Sequence, residues 1–258
     1  MFDSLGNRMK EYENAYRLYL PKKLPVIIRI DGRAFHTFTK GFKRPFDEFF
    51  NGIMSLTTKE LCEAIAGVKL AYTQSDEISL LLTNDDDINT EPWFNNNLQK
   101  LVSLSASIAT LAFNKYYEAE LYHDFKDDVK LYVSGIWCAQ FDARAFVLPK
   151  EEVVNYFIWR QQDATRNSIQ MVAQSLYSHK ELLNKNTSEQ QEMIFQKGQN
   201  WNDYPTRYKR GLCCLKRKIE LQAGEETWLR NQWVADLDIP IFTQDRSYIE
   251  NTFTKKEG

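Results

Sequence analysis

Apolar and polar positions along the chain switch between a helical and a strand period, and the switch points divide it into elements. Residues 6–20 carry apolar side chains at helical spacing and stop at Pro21, which predicts an amphipathic helix. LPVIIRI (24–30) is a short β-branched run closed by Asp31-Gly32, the pattern of a buried strand emptying into a tight turn. A helix is expected over 45–66, opening at Pro45 with Phe49, Ile53, Leu56 and Leu61 on one side. Two strands follow, VKLAYTQ (68–74) and EISLLLT (77–83), with Ser75-Asp76 at the tip of a hairpin between them. After the loop 85–93 comes a long helical pattern over 95–122, and VSGIWCAQFDARAFVL (133–148) supplies a fourth strand.

The order β-α-β-β-α-β is the ferredoxin-like arrangement, an antiparallel sheet with two helices on one face. The expected fold class is therefore α+β. Beyond Pro149 the pattern turns helical through 197, and 208–222 reads as a strand pair or hairpin. The division expected is a catalytic unit over 1–149 and a mostly helical C-terminal region over 150–258 packed on it. For residues 220–258 the pattern gives no reading beyond packing.

Composition narrows the class without naming a function. The 258 residues are 43% hydrophobic and 26% charged, ordinary for a globular protein. No apolar run approaches the roughly 20 residues that span a bilayer, and the N-terminus lacks the apolar core of a signal peptide. A cytoplasmic protein without membrane contact is expected. Four cysteines and three histidines stand at no zinc or disulfide spacing, so reduced thiols are expected. A net charge of −2 argues against a surface that is basic throughout, so any RNA contact has to be a local patch. The candidates are Lys40, Lys43 and Arg44, then Arg207, Lys209 and Arg210, then Lys216, Arg217 and Lys218.

The acids carry the chemistry. Asp31 ends the first strand, and Asp76 and Glu77 sit at the tip between the next two, so neighbouring strands would bring all three to one edge. Transfer of nucleotidyl groups needs such an edge, because divalent ions held by carboxylates activate the attacking hydroxyl and neutralise the leaving phosphates. Magnesium takes hard oxygen ligands, and Gly32 leaves a backbone carbonyl open to it. Asp-Gly and Ser-Asp-Glu are also common turn sequences. The residues alone stop at a palm-like metal site of undetermined substrate.

RIDGRAFHTF (29–38), YTQSDEISLLL (72–82), FDARAFVLP (141–149), YFIWRQQDATRNSI (156–169) and NDYPTRYKRG (202–211), with Lys100, resemble the tRNA-His guanylyltransferase family in the family's own order. The resemblance implies a polymerase-like palm joined to a helical region. It further implies an enzyme that extends tRNA 5′ ends in the 3′–5′ direction after activation of the 5′ end by ATP or GTP, in repair of 5′-truncated tRNA against a template, in guanylylation of tRNA-His, or in both. Two Mg2+ ions would be held by Asp31, the Gly32 carbonyl and Asp76, with Glu77 as support or occasional ligand. Nucleoside triphosphate (GTP or another NTP, and ATP) would contact Asp31, Gly32, Arg33, Ala34, Phe35, His36 and Ser75. Arg44, Lys100 and Arg144 would serve phosphate; many members carry lysine at the position of Arg44. Arg160, Asp163, Arg166, Asn167, Arg207, Lys209 and Arg210 would meet tRNA, and the assembly would be a homotetramer.

One stretch departs from the pattern. Members dedicated to tRNA-His follow W-R-Q-x-D with C-H-I-N-N-L-Y-N; here Asp163 is followed by Ala164-Thr165-Arg166-Asn167-Ser168-Ile169. The sequence resembles more closely the branch that performs template-dependent repair of 5′-truncated tRNA. Two other readings share part of the pattern: a palm-type nucleotide cyclase, which has the acids but needs no tRNA, and a non-catalytic ferredoxin-like RNA-binding module. An aliphatic first strand ending in an acid suits the latter poorly, since such modules stack bases on exposed aromatics.

Overall fold

The structure, a computed structural model, describes residues 4–124, 138–223 and 226–254. Helix α1 (Ser4–Ala15) leads to β1 (Val26–Gly32), the short α2 (Phe35–Phe38) and α3 (Glu48–Ala64). Strands β2 (Val68–Gln74) and β3 (Glu77–Leu82) form a hairpin, followed by α4 (Leu98–Asp124) and β4 (Phe141–Val147). The second half contributes α5 (Lys150–Leu176), α6 (His179–Leu182), α7 (Thr187–Gln196) and α8 (Thr206–Arg210). Strands β5 (Leu212–Ala223) and β6 (Glu226–Asp236) and helix α9 (Ser247–Phe253) complete it.

The sheet is antiparallel throughout, in the order β4-β1-β3-β2-β5-β6. Its first four strands reproduce the ferredoxin-like order. The segment 208–222 is one strand rather than a hairpin: α8 occupies its start, and the pairing partner of β5 is β6, further along the chain. The outermost residues of the expected fourth strand, 133–137, lie outside the described residues. The first helix ends at Ala15, short of Pro21. The backbone of Leu18 and Leu20 turns instead to pair with Leu98 and Asn96, at 2.9 Å in each case.

Alternation along the strands sends side chains to two cores. Ile28, Ile30, Ile78 and Leu80 face α3 and α4, which insert Phe50, Ile53, Leu61, Phe113 and Tyr117. Ile27, Leu70, Tyr72 and Leu81 face α5 and α9, which supply Val153, Phe157 and Ile249. Helix α3 starts at Glu48 rather than Pro45, because the Asp47 carboxylate caps it by accepting the Phe50 amide at 2.9 Å. Within the first core Phe113 is fully buried among the rings of Phe35, Phe38, Phe50, Phe141 and Tyr117. Phe113→Ala is expected to cost about 3–5 kcal/mol, read as a lowered urea midpoint at unchanged m-value.

Candidate active site

Three acids lie in one row across adjacent strands. Asp31 on β1 is directly opposite Glu77 on β3 and Asp142 on β4, so all three side chains leave the same face of the sheet. Like charges so placed repel, and each needs an answer. Glu77 has one: Arg160 of α5 donates to both carboxylate oxygens, at 2.7 and 2.9 Å. Asp142 has a weak one, an exposed contact with Arg144 at 3.4 Å. Asp31 has none, and neither does Asp76: among the described residues no lysine or arginine pairs with either.

Asp76 is brought beside Asp31 by the two-residue turn Ser75-Asp76, where Gln74 pairs with Glu77 and the Gly32 amide donates to the Asp76 carbonyl at 3.1 Å. Burial, with the neighbouring Asp31 charge, pushes the Asp76 carboxyl above the ordinary aspartate range. Burial also raises Glu77, against the pull of Arg160. Ser75 (φ 48) and Ala34 (φ 55), flanking the acids, are both held in the left-handed region, which side chains other than glycine enter at some cost. Gly32 is required here. A Cβ on it would stand 2.4 Å from the Phe35 ring, which folds back beneath the strand end.

A cleft of about 520 Å³ opens over this corner, within the range that holds nucleotide-sized ligands. It brings together Asp31, Gly32, Ala34, Phe35, His36, Arg44, Ser75, Asp76, Asn167 and Arg207. Phe35 only edges the cleft, since its ring is 3% exposed and engaged in the aromatic core. Arg44 and His36 are exposed on its wall. The far wall comes from α5 and α8, where Phe46 stacks on Tyr208 with ring centroids 4.7 Å apart. Arg207 donates to Glu48 at 2.7 Å and lies over the Tyr208 ring.

Other expected site residues lie elsewhere. Arg33 points away to Gln140. Lys100 starts α4 beside Asn96 and Asn97, and Asn96 groups with Val26 and Leu82 at the opposite end of the sheet from Asp31. Its ammonium lies over Phe94. Arg160 is 5% exposed and spent on Glu77 and Asp163, so it offers nothing to a ligand. Arg166 is exposed and bonds the other oxygen of Asp163. Lys209 donates to the Asn202 carbonyl at 2.5 Å, and Arg210 gives its carbonyl to the Tyr72 hydroxyl at 2.7 Å. One further candidate emerges from the geometry alone. Arg29, two residues before Asp31 on the same face, stands opposite Arg144, and its Nε is buried without a hydrogen-bond partner. The orphaned donor can take an anion, although the Arg29 charge already acts on Glu77 and Arg144 contacts Asp142. In the sequence Arg29 is hidden inside an aliphatic run.

The donor set fits magnesium. No group of three or more His, Cys, Asp or Glu side chains able to hold a metal occurs among the described residues. Two uncompensated carboxylates and a glycine carbonyl are nonetheless the few hard oxygens that magnesium takes from protein when phosphate and water supply the rest.

The family model for tRNAHis guanylyltransferase matches residues 6–149, more than half of the chain. This chain belongs to the tRNAHis guanylyltransferase family. As a member it is a nucleotidyltransferase. Its fold superposes with a TM-score of 0.85 on a bacterial tRNA(His) guanylyltransferase-like protein in complex with ATP, at 46% identity over 97% of this chain and 99% of that one. The GTP complex of a bacterial protein of that description gives a TM-score of 0.79 at the same identity and coverage. The tRNA(His) guanylyltransferase of Schizosaccharomyces pombe is 28% identical over 226 residues, 82% of this chain and 80% of that protein. Among the described residues no helix is long and apolar enough to cross a membrane.

The raised Asp76 sets a pH dependence. A carboxyl whose folded value lies above its unfolded value of about 3.9 costs nothing while protonated in both states, and it withdraws stability as pH rises from the unfolded value to the folded one. In chelator, Asp76→Asn is expected to be more stable than wild type at pH 7. The gap in urea midpoint should close as pH falls toward 4; a gap independent of pH would reject the assignment.

Proposed function

We propose that this nucleotidyltransferase adds nucleotides to the 5′ end of tRNA in the 3′–5′ direction, using nucleoside triphosphate and Mg2+, and that its substrates are 5′-truncated tRNAs repaired against a template. The observation that carries the reading is the pair Asp31 and Asp76, adjacent, short of positive charge and open to a nucleotide-sized cleft. Asp31, the Gly32 carbonyl and Asp76 would hold two ions, which supply charge neutralisation at phosphorus and activation of the attacking hydroxyl.

The chain's own residues would do the rest. His36 and Arg44 stand on the cleft wall to receive the triphosphate, and Arg29 with Arg144 offers cations one residue pair further along the strands for the tRNA 5′ phosphate. Both steps, 5′ activation and attack by the incoming nucleotide's 3′-hydroxyl, are in-line displacements that depend on positioning and charge. ATP and GTP both occur bound to the bacterial neighbours, in keeping with one cleft that serves activation and addition. The replacement of the C-H-I-N-N-L-Y-N stretch by Ala164 to Ile169 favours truncated tRNA over a dedicated tRNA-His substrate. A cytoplasmic site of action accords with that substrate.

The test incubates the protein with Mg2+, labelled NTPs and either 5′-truncated tRNA or tRNA-His lacking its extra 5′ guanosine. Templated extension of the truncated tRNA is expected, lowered by about 100- to 1,000-fold or more in Asp31→Ala and Asp76→Ala. Preference for tRNA-His would reassign the substrate. Extension of neither, with cyclisation of GTP alone, would replace the reading by a cyclase.

A homotetramer belongs to the same proposal. Helix α1 buries none of its residues within the chain and exposes Leu5, Met9 and Tyr12 at helical spacing, a face that needs a partner. Light scattering at micromolar concentration is expected to give four times the chain mass, and a monomer mass would reject the assembly.

A further inference from the structure

The W-R-Q-x-D segment reaches the acid edge through its buried arginine. Arg160 approaches from α5, on the helical side, and grips Glu77 with Nε on one oxygen and Nη2 on the other, at 2.7 and 2.9 Å. The same Nη2 donates to Asp163 at 2.8 Å, and the guanidinium carbon lies 4.3 Å from the centre of the Trp159 ring. Three partners from one helical turn and one strand therefore fix its plane. Glu77 in turn is one residue from Asp76 and directly opposite Asp31.

We propose that Arg160, oriented by Asp163 and Trp159, is a positioning residue for the metal-binding edge, acting through Glu77 rather than by touching tRNA. The forked pairing occupies both Glu77 oxygens in a fixed geometry. It keeps Glu77 turned toward α5, so Asp31 and Asp76 are the carboxylates left for divalent ions. Without the guanidinium, Glu77 would be a buried, unpaired charge next to two others. Its escape would be rotation toward the cations at the edge, as a third and competing ligand. The pair also joins the hairpin tip to α5, tying the floor of the cleft to one of its walls beside the buried Ser79–Tyr156 hydroxyl contact at 2.7 Å. Arg166, exposed on the next turn and sharing Asp163, remains available to RNA.

The proposal rests on the metal-dependent reading above, and its test is built to fail separately from it. Mn2+ binding is followed by electron paramagnetic resonance in the presence of a non-hydrolysable GTP analogue, which needs no tRNA and no turnover. Single-turnover extension of truncated tRNA is followed in parallel. A wild type that binds Mn2+ with the analogue but extends nothing would reject the 3′–5′ reading and leave the brace testable. In Arg160→Met, weaker Mn2+ binding and an extension rate about 100-fold lower at saturating substrates are expected, with tRNA affinity within about twofold of wild type. Arg160→Lys, which keeps the charge but not the fork, should fall between. Wild-type Mn2+ binding and rate in Arg160→Met, with weakened tRNA binding, would overturn the proposal in favour of an RNA contact. A lost rate with unchanged Mn2+ binding would overturn it as well. Should Arg160→Met fail to melt cooperatively, Asp163→Asn decides: it leaves the arginine in place with one anchor fewer. It is expected to shift Mn2+ binding and rate in the same direction by a smaller factor, and wild-type values for both would overturn the proposal.

Discussion

Repulsion within the row Asp142, Asp31, Glu77 is the constraint around which the active corner is organised. Antiparallel pairing sends directly opposed side chains to one face, so a β4-β1-β3 order with an acid at each of these positions has no way to separate them. The chain answers locally at the two ends, with Arg144 at the solvent side and Arg160 from the buried side. In the middle, and at Asp76 across the turn, no lysine or arginine among the described residues pairs with the carboxylate, and only the pull of His36 works against the rise at Asp76 from the cationic side. A charge deficit kept in a half-buried position is costly to the free protein, and the raised carboxyl at Asp76 records that cost. Such an arrangement is worth retaining where a bound cation and its polyanionic partner complete it.

The surrounding packing holds that corner still. Phe35 turns back under Gly32 into a cluster with Phe38, Phe50, Phe113 and Phe141, so the strand end carrying Asp31 rests on rings from α2, α3, α4 and β4. The absence of a side chain at Gly32 is the condition for this. On the other side the Tyr72 hydroxyl bonds the Arg210 carbonyl and Gly211 lies against Thr73, with no room for a Cβ. The start of β5 is thereby pinned to β2, and α8 with Arg207 and Tyr208 is delivered to the cleft wall.

The ferredoxin-like core is legible in the sequence because its inner strands β1, β2 and β3 are short, mostly apolar and largely buried, and its helices long and periodic. Phe35-to-Phe38 and the β5-β6 pair were harder. A four-residue helix has no period to detect. Strand β6 (ETWLRNQWVAD) is polar along most of its length because only its last residues reach the core, so the pattern points to a strand pair within 208–222 and misses β6 as the partner of β5. At the site, Asp31, Gly32, Ser75 and Asp76 stood out because turn and strand-end positions are visible in a one-dimensional pattern. The burial of Arg160 and the place of Arg29 within an aliphatic run are not visible in such a pattern. A charged residue defaults to the surface in such a reading, and what buries Arg160 is Glu77, 83 positions away.

That separation in sequence bears on how the cleft is built. Its floor comes from β1 and the β2-β3 turn, and its walls from α2 and the start of α3 on one side and α5 and α8 on the other. Apolar packing between sheet and α5 is non-directional and, beyond the Ser79–Tyr156 hydroxyl contact at 2.7 Å, would tolerate small slides of the helix. The forked Glu77–Arg160 pair does not, because both of its hydrogen bonds are satisfied in one geometry only. A buried ion pair is poor as a source of stability but strict about register. At this position strictness is the useful property. The acids and the far wall have to present a nucleotide and a second phosphate-bearing substrate to each other in line, and misplacement by about 1 Å at reacting atoms costs about 100-fold in rate.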